Sequence, residues 1–151
     1  MNCNTALRFV ISRANTEREV LGHTELMPEH FFLALLKLSE LSAEEISPFS
    51  AHKQQTNVDI MQIRQVLRKE KIDSGNLRQK LTEELKSVSE ENRLNCEEKV
   101  KKIFEKAEKR IIRDDLPALT AFVLFLVFFE DLPDSVKKIL SDKPGHDQKK
   151  E

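Results

Sequence analysis

One apolar pattern occurs twice in this chain, and that repetition limits what it can fold into more than any other feature. Leu7, Val10, Ile11 and Ala14 recur as Val100, Ile103, Phe104 and Ala107, an offset of 93 residues. The i, i+3, i+4, i+7 spacing puts each set on one face of a helix. FFLALLKL at 31–38 then matches FVLFLVFF at 122–129, an offset of 91, and Ile63, Val66 and Leu67 match Val136, Ile139 and Leu140. No stretch alternates with the period of two that a strand requires. The sequence therefore predicts an all-α fold, a pseudo-twofold tandem duplication of a four-helix unit. Repeat one spans about 4–87 and repeat two about 94–140. The second copy is truncated, because its fourth helix is replaced by SDKPGHDQKKE. That polar stretch, 141–151, is expected to be a flexible tail or linker.

Helix boundaries follow from local chemistry. A first helix covers about 4–20 and is stopped by Gly22, in the usual place of glycine just past a helix. Pro28 suits the first position of a second helix, which runs to about Leu38. Ser, Pro and Gln mark 39–57 as a long loop with one helical turn at Ala43–Ile46, part of which could cover the core of the second repeat. Val58, Met61, Ile63, Val66 and Leu67 form a third helix. Asp73 or Ser74 caps a fourth, carrying Leu77, Leu81 and Leu85. Residues 86–93 read as a polar linker, and Asp131-Leu132-Pro133-Asp134 as a turn.

Composition removes several function classes. Net charge is -1 and Lys and Arg are spread along the chain, so no basic stripe for nucleic acid stands out. Trp and Tyr are absent, and the nine Phe supply all the aromatic mass. The longest apolar run, Ala121–Phe129, is far short of the ~20 residues of a membrane span. Cys3 and Cys96 lie apart and outside any metal-binding spacing, which fits a reduced, cytoplasmic setting. No phosphate-binding loop, nucleophile elbow or H-E-x-x-H motif occurs, so neither an enzyme nor a cofactor is expected.

Glu29 and His30 stand at the mouth of the second helix. Glu29 suits the first turn, where the helix dipole favours an acid. His30 is read as packed beneath the preceding loop, and His23 as a structural residue after the helix-ending glycine rather than half of a metal pair. Phe31, Phe32, Phe122, Phe125, Phe128 and Phe129 are read as core, with Phe128 or Phe129 reaching the surface. Lys99, Lys101, Lys102, Lys106, Lys109 and Arg110 alternate with Glu97, Glu98, Glu105 and Glu108, which reads as a solvated helix face.

The block Ala14-x7-Gly22-His23-x5-Glu29-His30-Phe31-Phe32-Leu33-Ala34-Leu35-Leu36 resembles the Clp N-terminal repeat, in which a helix ending in Gly-His precedes a T-E-H-L-L-L-A-L-L helix. Val66-Leu67, Ile72-Asp73, Leu77 and Leu81 resemble the third and fourth helices of that repeat. The likeness covers roughly 4–140 and is looser in the second half, where Thr120-Ala121 replaces Glu-His. It implies a double Clp N-type domain, as at the front of ClpA-, ClpB- and ClpC-type AAA+ unfoldases. Such a domain docks an adaptor protein or substrate segment, or engages Clp ATPase or protease subunits. It does so as the N-terminal part of an unfoldase or as a stand-alone accessory protein, without catalysis, metal, nucleic acid or membrane. In ClpC-like members the acid matching Glu29 contacts phosphorylated arginine; with Thr120 at the second position, a two-site receptor is not expected. The docking surface is expected at Thr24, Glu25, Met27 and Glu29 and at the counterpart loop bounded by Asp114 and Thr120. The alternative is a helical scaffold that dimerises through 122–129 and has lost the docking role.

Overall fold

Asn4 begins the first helix, its side-chain oxygen accepting the Leu7 N–H at 2.9 Å. The computed structural model describes residues 4–46, 50–87 and 96–141, and among these every regular element is a helix. They are α1 (Thr5–Val20), α2 (Pro28–Ser39), α3 (Ala43–Ile46), α4 (Ser50–Lys69), α5 (Ser74–Lys86), α6 (Cys96–Arg113), α7 (Ala121–Glu130) and α8 (Asp134–Ser141). No helix among them is long and apolar enough to cross a membrane.

Helix α2 is the axis of the fold. Ten of its twelve residues are buried, which requires neighbours on every side; α1, α4, α5, α6 and α7 supply them. Each fully buried Leu or Phe contributes about 1.5–3 kcal/mol of apolar transfer. Phe32 of α2 stacks on Phe125 of α7, ring centroids 6.4 Å apart and planes 10° from parallel. Phe128 tilts against Phe32 at 5.8 Å, and Phe31 meets Phe104 of α6 edge-on at 5.3 Å. Of the expected surface pair, Phe128 is buried and Phe129 half-buried. Ile11 is also more exposed than its place in the apolar stripe implies.

Three helices end in the same way. After α1, Gly22 takes φ +74°, and the Gly22 and His23 amides donate back to Glu19 and Arg18. Lys71 does this after α4 with φ 59°, and Asp115 after α6 with φ 56°. Asp115 lies 93 residues beyond Gly22. Measured from their caps, Met27 and Thr120, α2 and α7 are also 93 apart. The hydrophobic runs of the same two helices give an offset of 91. At an offset of 93, Met27 falls opposite Thr120 and Phe32 opposite Phe125.

The expected loop 39–57 is shorter. Ser42 and Glu45 form a reciprocal capping box that starts α3. Helix α4 begins at Ser50, eight residues before Val58, because Ala51, Lys53, Gln54 and Gln55 are sound helix formers despite lacking an apolar stripe. Helix α4 packs against α7, so it covers part of the second half. Ser141 closes α8. The rest of the expected tail, most of the 86–93 linker and Cys3 lie outside the described residues.

Candidate functional site

Two junctions bring helix starts together. In the first, Asn4, α4 and the start of α7 meet. The Asn4 side-chain amide donates to Asp59 Oδ2 at 2.7 Å, and the Ala121 backbone N–H donates to the same oxygen at 3.2 Å. The Asn4 backbone N–H donates to the Leu119 carbonyl at 3.1 Å. Asp59 is 3% exposed. Burial pushes its carboxyl above the usual range, against the two hydrogen bonds, which favour the charged form. This junction is closed.

In the second, the starts of α2, α6 and α8 meet around a groove of about 460 Å³. Met27, Pro28, Cys96, Ile103, Leu132 and Pro133 give it an apolar lining. Lys99, Lys102 and Lys106 stand along α6, and Glu29, Asp131 and Asp134 come from the other elements. Glu29 is half-buried, and its carboxylate accepts the Ser135 hydroxyl at 2.8 Å, which ties α2 to α8. Lys106 pairs with Asp131 at 3.6 Å. The arrangement offers hydrogen-bond and charge partners of both signs beside an apolar surface, which is the equipment of a binding groove.

The expected site residues divide between these places. Met27 and Glu29 line the groove, while Thr24 and Glu25 are exposed on the loop leading into it. Met27 is only 6% exposed, so it serves as wall more than as free surface. Asp114 and Thr120 are elsewhere. Thr120 caps α7, its hydroxyl accepting the Val123 N–H at 3.1 Å. Asp114 is exposed, and a hydrogen bond from Arg113 holds its carboxyl below the usual range. At the second expected surface, Thr120 is therefore engaged as a cap and Asp114 by Arg113.

The α6 lysines and the 131–134 acids were missed. The i, i+3, i+7 spacing of Lys99, Lys102 and Lys106 was the available signal; the glutamates between them obscured it. Glu97, Glu98, Glu105 and Glu108 do not line the groove.

His23 and His30 sit behind the groove edge, both buried. Their rings hydrogen-bond directly, Nδ1 of His23 to Nε2 of His30 at 2.9 Å. They serve the packing of the loop, as a structural reading of both residues expects. Comparison with protein-family models, with curated proteins and with solved structures gives no match for this chain.

Proposed function

We propose that this chain is a double Clp N-type domain and acts by reversible protein recognition. It docks adaptors or substrate segments for a Clp-type ATP-dependent unfoldase or protease. It works either as the N-terminal part of the unfoldase or as a stand-alone accessory protein, and its own residues perform no bond chemistry. The groove at the start of α2 carries the reading: an apolar lining set between α6 lysines and the acids Glu29, Asp131 and Asp134. The occupant that suits it is an apolar residue of a partner chain flanked by an acidic residue toward α6 and a basic residue toward Glu29. The shared offset of 93 between the ends of α1 and α6 and between the starts of α2 and α7 supports the duplication.

The test is affinity capture from native lysate with the wild-type chain and Glu29→Lys side by side. The reading expects a Clp ATPase, protease subunit or adaptor with the wild type and its loss with the variant. Equal recovery by both would move the site, and no Clp component with either would remove the docking role. The scaffold alternative loses its original interface, since most of α7 is buried inside the monomer. Exposed Val58 and Met61, one turn apart on α4, are a surface it could use instead, and sedimentation of the wild type against Met61→Glu tests it.

A further inference from the structure

His23 and His30 form a directional hydrogen-bond chain. The Met27 backbone N–H donates to His30 Nδ1 at 2.8 Å. His30 Nε2 meets His23 Nδ1 at 2.9 Å, and His23 Nε2 meets the Leu85 carbonyl at 3.1 Å. A backbone N–H can only donate and a carbonyl can only accept, so the two ends fix everything between them. His30 Nδ1 must offer a lone pair, which places its proton on Nε2, donated to His23. His23 Nδ1 then also offers a lone pair, and its proton sits on Nε2, donated to Leu85. The network thus assigns each ring as neutral and in one tautomer.

A further proton has nowhere to go without cost. On His30 Nδ1 it would face the Met27 N–H, and on His23 Nδ1 it would face the His30 N–H. Either sets two donors against each other at under 3 Å, in a buried place where a broken polar contact is expensive. The chain ties the loop between α1 and α2 to the last turn of α5 and fixes Met27 at the groove edge.

Among the described residues, the charged groups on the surrounding elements are Arg18 and Glu19 of α1, Glu25 in the loop, Glu29 of α2, and Glu84 and Lys86 flanking Leu85 on α5. Arg18 donates to the His23 carbonyl at 3.1 Å, placing a cation beside the pair, and Glu19 pairs with Arg18 at 3.6 Å. Glu29 is bonded to Ser135 and Glu84 to Lys138. Glu25 is exposed, and so is Lys86.

We propose that the His23–His30 pair is an acid-sensitive latch: uptake of a proton breaks the chain and releases the 21–27 loop together with the Met27 edge of the groove. Its consequence for docking rests on the function proposed above; the latch itself does not. The latched form excludes the proton and the open form accepts it. An imidazole in water titrates near pH ~6.5, so below that point opening should grow about tenfold per pH unit.

Amide hydrogen exchange on the full chain, corrected for intrinsic rates, reads the opening directly. The expected result between pH 7.5 and 5.5 is a loss of protection of about tenfold in 22–30, with α7 unchanged. In His23→Gln/His30→Asn, whose amides do not titrate, that acid dependence should disappear. Nitrogen-detected NMR of the wild-type rings at pH 7.5 should show both as neutral Nε2–H tautomers, which needs no variant to fold. Unchanged protection in 22–30, an equal loss across the molecule, acid dependence kept by the double variant, or a charged or Nδ1–H ring at pH 7.5 would each overturn the latch. A latch that passes while affinity capture finds no Clp component would remove the docking role alone.

Discussion

Each of the two helix junctions brings helix starts together, and the two end differently. At the first, Asp59 fills the space between the start of α1 and the start of α7 and satisfies two donors with one oxygen. At the second, no buried acid among the described residues joins the starts of α6 and α2. Glu29 reaches outward to Ser135, and an open groove remains. A short buried acid thus closes the first seam, while the second leaves an open groove.

The largest expected effect comes from Asp59→Ala, which would strand the Asn4 amide and the Ala121 N–H in a buried place. It should cost about 3 kcal/mol in urea unfolding. Glu29→Ala, at the open junction, should cost under about 1 kcal/mol, since its partner can turn to water. Equal costs would break the distinction between seam and groove.

The seam also has a pH signature. Burial raises the Asp59 carboxyl above its unfolded value, so the folded state holds that proton more tightly. Its contribution to stability is complete below the unfolded value, near pH ~3.9, and declines as pH rises through the raised folded value. Relative to Asp59→Asn, the wild type should therefore gain melting temperature as pH falls from 7 toward 4. A constant difference across that range would mean that the carboxyl is not perturbed.

The smallest effects concern the caps that the two halves share. Gly22→Ala should cost about 1 kcal/mol through backbone strain alone, because an added Cβ meets nothing within 4 Å. Asp115→Gly should stabilise by about 0.5 kcal/mol, relieving the same conformation in a residue less suited to it. Thermal unfolding of both variants measures the pair, and effects of the same sign would separate the two caps.

Much of the fold was legible. The apolar stripes placed α1, α2, α5, α6 and α7, and Gly22, Pro28 and Asp73 marked three of their ends. The early start of α4 was not legible, because good helix formers without an apolar stripe resemble a polar loop. The hydrophobic runs of α2 and α7 align at an offset of 91 and their caps at 93, because both helices are so apolar that several alignments look alike. Glu29 and Met27, expected at the docking surface from the resemblance, both line the groove. The α6 lysines share one helix face by their spacing, but the interleaved glutamates hide it, and only tertiary packing brings that face to the groove.

The most direct test of the central claim, an open binding junction opposite a closed one, is NMR titration of the labelled wild-type chain. The probe is a short peptide carrying Glu, Leu and Arg in succession, with a control in which the two charges are exchanged. The account predicts shifts confined to Met27–Phe31, Lys99–Lys106 and Asp131–Ser135, weakened by the exchanged control, with Asn4, Asp59 and Ala121 unmoved. Shifts at Asn4, Asp59 and Ala121, or no shifts at the groove, would contradict it.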